Sequence, residues 1–302
     1  MYLNNSHRSS DATPESESYT EVYIAVCVLN AVFSLTAFAG NVLVLGAVST
    51  TPTLRKPSNF LLLGLSLSDL GVSLFVQPMF NAIVIIYELD QGRCPVLRLI
   101  YRSFQTFFVS ATILTLTSVS VDRCLALVLH LRYLAVVTVK KSILALCLIW
   151  LASVVYAVTS LVSREVYRSV SAFVIALCIV INITMFSTIY RISRRHRIQI
   201  QRQSLPNQPE AFDMKRYRKS LITSIALQIL LVICYSPYIY FRFVAYFTDW
   251  RSSPYNAFML RWSAVLVYLN SSINPLIYCW RIPEMRLAMK QFLKSLVHRH
   301  ST

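Results

Sequence analysis

Hydrophobic and polar positions alternate along the chain on a long scale, with seven apolar runs separated by short polar segments. Each run is long enough for a helix that crosses a bilayer, which takes roughly 20 mostly apolar residues. The runs lack the two-residue alternation that a membrane β-barrel needs, so helices are the predicted elements. The pattern predicts an all-α membrane protein built as a bundle of seven transmembrane helices. The runs cover residues 22–54, 57–87, 103–121, 142–163, 169–190, 220–241 and 262–280.

Composition favours a membrane protein over a soluble one. Hydrophobic residues make up 56% and charged residues 14% of the 302 residues, whereas a soluble globular chain carries about 25% charged residues. The net charge of +16 would also suit a nucleic-acid-binding protein, but most basic residues lie in the segments on the side of Arg55 and Lys56. An excess of Lys and Arg marks the cytoplasmic side of a membrane protein. We therefore expect a plasma-membrane protein with an extracellular N-terminus, a cytoplasmic C-terminus and no nucleic-acid partner.

The N-terminal segment, residues 1–21, is polar and is predicted to lie outside the cell. It lacks the apolar core of a cleavable signal peptide. The first helix of the seven-helix domain is therefore expected to act as its own insertion signal, and this domain covers residues 22–281. Asn4-Asn5-Ser6 is a sequon, which makes Asn4 a candidate glycosylation site.

The C-terminal segment, residues 282–302, begins with Pro283 and is predicted to hold a further helix. Apolar residues recur every three or four positions from Met285 to Leu296, with charged residues between them. This spacing is typical of an amphipathic helix. We expect it to lie on the inner membrane surface, in contact with membrane lipids.

Asp69 is the one acidic residue in the middle of a predicted span. A charge at the centre of a membrane is costly, so such a residue is a functional candidate. Asn41, Thr112, Asn270 and Asn274 lie at similar depth, and their side-chain oxygens suit a small hard cation such as Na⁺. The alternative is a neutral, protonated Asp69 that is hydrogen-bonded to a neighbouring helix.

Six features of the sequence occur in a fixed order along the predicted helices. They are Asn41, Asp69 within Leu65-Ser-Leu-Ser-Asp-Leu70, Asp122-Arg123, Trp150, Cys234-Tyr-Ser-Pro237 and Asn274-Pro-Leu-Ile-Tyr278. With this set the chain resembles the rhodopsin-like (class A) G-protein-coupled receptors over most of its length. The resemblance implies a receptor that senses an extracellular ligand and activates a heterotrimeric G protein, with arrestin as a further partner.

The resemblance also implies roles for residues near the cytoplasmic side. In that family the Arg that matches Arg123 separates from its neighbouring acid, here Asp122, and contacts the G protein. The tyrosines that match Tyr190 and Tyr278 swing inward to support it. Leu131 is similar to the hydrophobic residue of the second inner loop that inserts into the G protein.

Two further sets of residues match the family. Pro237 and Pro275 each remove a helix hydrogen bond and allow the sixth and seventh helices to bend. The remaining set matches the family's sodium pocket, in which Na⁺ favours the resting state. Its members are Asp69, Thr112, Asn270 and Asn274.

The chain departs from the family pattern at several switch positions. Cys124 follows the Asp-Arg pair in place of Tyr, and Tyr235 stands where the family usually has Trp. Leu231 replaces the usual Phe, and Asn182 replaces the usual Pro of the fifth helix. Tyr217 stands where some members carry an acid that ties the sixth helix to the third. We therefore expect a non-standard switch with basal activity.

The outer cysteine pattern also departs from the family. Arg98 stands where the family usually has a Cys, Cys94 lies one turn earlier, and the second outer loop, about residues 163–169, has no Cys. The sequence therefore predicts no outer disulfide. A missing disulfide, a short outer loop and a fifth helix without Pro together resemble the melanocortin, cannabinoid and lysophospholipid receptor group.

The ligand is restricted by what the outer half of the bundle contains. Tyr268 replaces the lysine that holds retinal in opsins, and Gln105 replaces the Asp that binds amines in amine receptors. Arginines near the outer helix ends, with tyrosines beside them, favour an anionic or amphipathic ligand, a lipid or an acidic peptide. The alternative is that these arginines reach out to lipid headgroups. The candidate ligand-binding residues are Arg98, Arg102, Gln105, Tyr235, Tyr238, Arg242 and Tyr268, with Arg261 as a further candidate.

Other classes of protein are less consistent with the sequence. No set of His, acid and nucleophile converges as an enzyme requires, and the five His residues avoid the predicted spans. A transporter or channel is an open alternative, although the low glycine content and the lack of internal repeats argue against it. A receptor-like scaffold that no longer signals is a further alternative, given the altered switch residues.

Overall fold

The structure is a computed structural model, and it describes residues 14–129, 132–203, 209–247 and 254–300. These ranges contain no strand and eight long helices, which we number in chain order. A 3₁₀ turn, Pro52–Leu54, precedes α2, and a one-turn helix, Tyr133–Val136, follows α3. The long helices are α1 Pro14–Thr50, α2 Pro57–Leu89, α3 Pro95–Leu129, α4 Val139–Val162, α5 Arg164–Gln203, α6 Pro209–Phe247, α7 Pro254–Arg281 and α8 Pro283–His300.

Six of these helices are long and apolar enough to cross a membrane, by length and composition within the described residues. The apolar part of α5 is Phe173–Ile192, and that of α6 is Ile225–Val244. The seventh helix, α7, packs between α1 and α6 but is more polar, since Ser263, Asn270 and Asn274 lie buried on its inner face. The predicted bundle of seven helices is confirmed.

Burial follows the inverted pattern of a membrane bundle. Large apolar side chains such as Leu35 and Val162 are exposed on the outside, where lipid surrounds a membrane protein. Polar side chains such as Asn30, Asn41 and Gln77 have no exposed surface and lie between the helices. Inside lipid, interhelical hydrogen bonds and close packing hold helices together, since burial against lipid gives no hydrophobic gain.

The helix α2 is not regular over its whole length. Two wider π turns, Val72–Val76 and Ile85–Leu89, interrupt it. Such turns are rare and occur often at functional sites. Next to the first, Gln77 donates to Asn30 Oδ1 (3.1 Å), and Asn30 donates to Asn81 Oδ1 (2.7 Å). This amide network ties the outer half of α1 to α2.

Two glycines allow α1 to approach the C-terminal helices closely. A side chain at Gly40 would lie 2.9 Å from Pro275 of α7, and one at Gly46 would overlap the Phe292 ring of α8, 2.1 Å away. Both positions therefore need a residue without Cβ. As a result, the inner half of α1 fixes the positions of both α7 and α8.

The amphipathic helix α8 begins at Pro283, where the sequence predicted it. The first half of the stripe expected on the membrane surface is buried in the bundle, because Met285, Ala288 and Met289 pack with Val44 and other residues of the inner core. The end of the same stripe, Leu293 and Leu296, is exposed and remains available to lipid, together with Leu287 and Val297.

Candidate functional site

The inner end of α3 carries a cluster of charges that is mostly shielded from solvent. Arg123 Nη2 lies 2.7 Å from Asp122 Oδ2, and the exposed fractions of the two side chains are 13% and 5%. The Tyr133 hydroxyl, from the one-turn helix after α3, donates to Asp122 Oδ1 at 2.6 Å. Asp122 therefore holds its neighbouring arginine and the inner loop at the same time.

The predicted supporting tyrosines have different surroundings. Tyr278 of α7 is fully buried in the inner core, whereas Tyr190 of α5 is 67% exposed on the outside of the bundle. Between α3 and α5, a small core instead contains Cys124, Leu127 and Ile189. The inward movement of the tyrosines stays a prediction. Leu131, the side chain of Tyr217 and the sequon at Asn4 lie outside the described residues.

Asp69 is fully buried near the middle of α2, and its carboxylate accepts hydrogen bonds from α7. Ser271 Oγ donates to Oδ1 at 2.7 Å, and Asn274 Nδ2 donates to Oδ2 at 2.8 Å. Ser271 is not among the residues that the sequence singled out. The contact links α2 to α7 through Ser271 and Asn274, the residue that precedes Pro275.

Four buried side-chain oxygens on the helices that pack against α2 have no hydrogen-bond partner among the described residues. They belong to Asn41, Thr115, Asn270 and Asn274, and Asn274 is the one whose amide contacts Asp69. Thr112 shares a hydrogen bond with Ser68 (3.1 Å) in place of a contact with Asp69. Buried polar atoms are normally satisfied by protein, water or an ion, so this set of oxygen donors fits a small hard cation.

The two prolines predicted to bend the helices both lie inside continuous helices. Pro237 is part of α6, three residues after the buried Cys234, and Pro275 is part of α7 against Gly40. Each leaves one backbone carbonyl of the preceding turn without its usual donor. These are the weakest points in the hydrogen bonding of the two helices.

Four of the candidate ligand-binding residues meet in the outer half of the bundle. Tyr268 shares a hydrogen bond with Tyr101 (2.6 Å) and accepts one from Gln105 Nε2 (3.3 Å). Tyr235 is buried in the same apolar cluster, and Tyr238 packs against it. Tyr101 is the member that the sequence reasoning missed. Hydroxyl and amide contacts in the group join α3 to α7, and the two tyrosines of α6 are added by packing.

The four outer arginines have four different environments. Arg98 lies over the Tyr87 ring, with its guanidinium carbon 3.8 Å from the ring centre. Arg102 donates to the Ser160 carbonyl of α4. Arg242 is exposed at the outer end of α6, with its guanidinium carbon 6.0 Å from the centre of the Tyr238 ring. The structure therefore does not gather the arginines into one anion pocket.

The fourth arginine, Arg261 of α7, is held by an acid. Its Nε and Nη2 both donate to Glu88 Oε1 of α2, at 3.1 and 2.7 Å. Each side chain is 19% exposed. This ion pair closes the outer ends of α2 and α7 together, and it leaves Arg261 much less available for an anionic ligand.

Comparison with known proteins identifies this arrangement. The sequence matches the family model of the 7 transmembrane receptor (rhodopsin family) over residues 40–172 and 162–278. The chain belongs to the rhodopsin family of seven-transmembrane receptors. It is therefore a G-protein-coupled receptor of the plasma membrane that crosses the membrane several times, and it is not an enzyme.

Individual relatives cover almost the whole receptor. The adenosine receptor A2b of Gallus gallus is 24% identical over 89% of this chain and 88% of its own length. The histamine H2 receptor of Homo sapiens is 28% identical over 93% of this chain and 83% of its own length. The trace amine-associated receptor 9 of Mus musculus is 25% identical over 88% of this chain and 83% of its own length.

The receptor's departures from its family have structural counterparts. Asn182, which replaces the usual Pro of the fifth helix, donates to Thr117 Oγ1 of α3 at 3.1 Å and to the Cys178 carbonyl of its own helix at 2.9 Å. A polar bridge between α3 and α5 therefore lies where other members have a proline distortion. All seven cysteines lie in the described residues, and each is a free thiol.

Proposed function

We propose that this receptor carries the signal of an extracellular ligand to a G protein through the cluster at Asp122, Arg123 and Tyr133. The N-terminus is extracellular and the C-terminus cytoplasmic, as the distribution of Lys and Arg favours. Arrestin is a second partner for the same inner surface. The observation that carries the proposal is the double contact of Asp122, which restrains the arginine that the G protein needs.

The proposed switch works by exchange of partners. In the resting receptor, Asp122 neutralises Arg123 and holds the inner loop through the Tyr133 hydroxyl. When the outer half of the bundle binds ligand, a shift of α3, α6 or α7 weakens these contacts and frees the guanidinium. Ligand binding can change this equilibrium only as far as the ligand prefers the active arrangement.

The ligand that we propose is anionic or amphipathic. The relatives are receptors named for adenosine, histamine and trace amines. In this chain the outer site presents Gln105 and the hydroxyls of Tyr101 and Tyr268, while cationic Arg98 and Arg102 lie elsewhere on the outer part of α3, one over the Tyr87 ring and the other against the Ser160 carbonyl. A carboxylate or another acidic group suits these donors better than an amine does.

We also propose that Na⁺ binds beside Asp69 and favours the resting state. Asp69, Thr112, Asn270 and Asn274 supply the oxygens, and Ser271 adds a hydroxyl that the sequence did not indicate. Support comes from the oxygens without a hydrogen-bond partner on Asn270 and Asn274. Inside the bundle, the ion neutralises the Asp69 carboxylate and holds α2 against α7.

The experiment that tests the proposed function is a measurement of G-protein dissociation in cells, across a panel of Gα subtypes. The parent receptor and Arg123→Ala are compared at matched surface expression, and Tyr255→Phe on the outer side of α7 serves as a control. A basal signal that is lost in Arg123→Ala alone supports the proposal. A parent receptor that dissociates no Gα subtype, under any stimulus, favours a scaffold that does not signal.

A transporter would give a different result in the same cells. It would move solutes across the membrane independently of Arg123, and it would cause no dissociation of G proteins. Flux measurements on the parent receptor and on Arg123→Ala separate these outcomes.

A further inference from the structure

Gln228 is a polar residue of α6 that has no part in the proposed switch or in the sodium site. It precedes Pro237 in the helix and therefore lies on the inner side of the point where α6 can bend. Its side chain is 7% exposed, and its Nε2 donates to the Leu116 carbonyl of α3 at 3.2 Å. A hydrogen bond between two different helices thus joins the inner half of α6 to α3 inside the membrane.

The contact lies in an apolar part of the bundle. Leu227, the residue before Gln228, is buried in the inner core together with Leu116 and Val119 of α3. Burying an amide among apolar side chains costs free energy unless the amide is hydrogen-bonded. The Oε1 of Gln228 has no hydrogen-bond partner among the described residues, so the bond to Leu116 is the contact that offsets this cost. It favours the arrangement in which α6 touches α3.

The α3 side of this contact is also held from α5. Thr117, the residue after Leu116, accepts a hydrogen bond from Asn182 of α5 at 3.1 Å. Two amides from two neighbouring helices therefore bind one turn of α3, about 10 Å along the helix from Arg123. Because other contacts fix this turn, the bond from Gln228 resists a movement of α6 and does not simply draw α3 along with it.

The position of Pro237 determines which part of α6 the bond restrains. A proline inside a helix removes one backbone hydrogen bond, and helices bend most easily at such a position. A bend at Pro237 changes the distance between the inner half of α6 and α3. Gln228 lies in this inner half, so its bond to Leu116 must break when the inner half moves away.

We propose that Gln228 is a positioning residue, which holds the inner half of α6 against α3 in the resting receptor through its bond to the Leu116 carbonyl. Loss of this bond lets α6 move outward at Pro237 and opens the inner end of the bundle to the G protein. The inference rests on the proposed function in one respect, since it names a residue that regulates the switch at Asp122 and Arg123.

The test is a distance measurement by pulsed electron paramagnetic resonance on the purified full-length receptor in nanodiscs, without ligand or G protein. Spin labels are attached through p-acetylphenylalanine at Lys140 of α4 and Ile222 of α6, which are both exposed, so the native cysteines stay unlabelled. Gln228→Met removes the amide and keeps the length of the side chain. Because one hydrogen bond between membrane helices changes an equilibrium about threefold, we expect the ratio of long to short distances to rise about threefold.

Gln77→Met is the matched control. Gln77 is a fully buried amide that donates to another helix, at Asn30 of α1. The same substitution there removes the same kind of contact, but away from α6. Gln77→Met should leave the label distances as in the parent, even where it lowers the unfolding temperature. Gln228→Leu repeats the test if Gln228→Met does not fold.

Two results would overturn the proposal. Equal label distances in the parent and in Gln228→Met would show that the bond to Leu116 does not hold α6 in place. An equal increase in distance in Gln77→Met would show that the labels report a general loosening of the bundle.

Nucleotide exchange on purified heterotrimeric G protein, measured with the same variants, separates this inference from the proposed function. We expect faster exchange with Gln228→Met than with the parent, a gain that loss of stability alone does not produce. A change in label distances without exchange on any G protein would leave the role of Gln228 standing and refute the signalling proposal. Arg123-dependent exchange with unchanged label distances would do the reverse.

Discussion

The hydroxyl of Tyr133 offers the sharpest perturbation of the proposed switch. Tyr133→Phe retains the ring and removes the hydrogen bond of 2.6 Å to Asp122 Oδ1. A hydrogen bond to a charged acceptor contributes about 1.5–3 kcal/mol. Since 1.4 kcal/mol is a factor of ten, the equilibrium should shift from the resting towards the active state by about tenfold or more. Basal signalling should rise, while the Arg123–Asp122 ion pair itself stays intact.

The assay for this prediction is basal G-protein dissociation in cells, with receptor variants at matched surface expression. Tyr255→Phe, which removes a hydroxyl from an exposed tyrosine at the outer end of α7, is the matched control and should behave as the parent. Arg123→Ala combined with Tyr133→Phe should give no signal, because the arginine that we propose contacts the G protein is then absent.

One result would refute the reasoning about Tyr133. If Tyr133→Phe has the basal signal and the unfolding temperature of the parent, the hydrogen bond does not distinguish the two states. Asp122 would then restrain Arg123 alone, and the inner loop would have no part in the resting state.

Three further predictions concern other contacts. Asp69→Asn should abolish the fall in agonist affinity with rising Na⁺, and a parent receptor insensitive to Na⁺ in radioligand binding would contradict the proposed ion site. Gly46→Val should lower the unfolding temperature and displace α8, because its side chain meets the Phe292 ring, whereas unchanged α8 mobility by spin-label spectroscopy would contradict this packing. In a double-mutant cycle of Glu88→Gln and Arg261→Gln, a coupling energy of about 0.2–1 kcal/mol is expected for this partly exposed pair, and zero coupling in thermal unfolding would mean the pair does not join α2 to α7.

The helices and their order could be predicted from the sequence, because apolar runs of this length rarely form anything other than membrane-spanning helices. The contact between Asp69 and Asn274 was also within reach, since an acid in a span needs polar partners at the same depth. Ser271 was missed because serine is common in membrane helices and no spacing marks which serine faces the acid. The distinction depends on the rotation of α7 about its axis, which only packing determines.

The outer arginines show the same limit. Their positions in the sequence place Arg98, Arg102, Arg242 and Arg261 near the outer helix ends, but not on one side of them. The structure directs Arg102 towards α4 and Arg261 towards Glu88. The position of each arginine along its helix was therefore predicted, but the neighbour that its side chain contacts was not. Tyr133 was missed for a related reason, since the sequence does not show how the one-turn helix Tyr133–Val136 is oriented towards Asp122.

The helix α8 shows where periodicity leaves two solutions. The stripe that contains Met285 and Met289 was correctly identified as apolar, but a bilayer and a protein core favour the same stripe. The structure divides the stripe between the two, since its first half packs on the core and Leu293 and Leu296 are exposed. This division depends on contacts such as Gly46 with Phe292, between residues far apart in the sequence.

The central claim is that this receptor activates a G protein through Arg123. The most direct measurement is nucleotide exchange on purified heterotrimeric G protein, with the receptor reconstituted in nanodiscs as the parent, as Tyr133→Phe and as Arg123→Ala. The account predicts faster exchange with the parent, a further increase with Tyr133→Phe and the intrinsic rate with Arg123→Ala. Exchange at the same rate with all three variants, for every G-protein class, would contradict it.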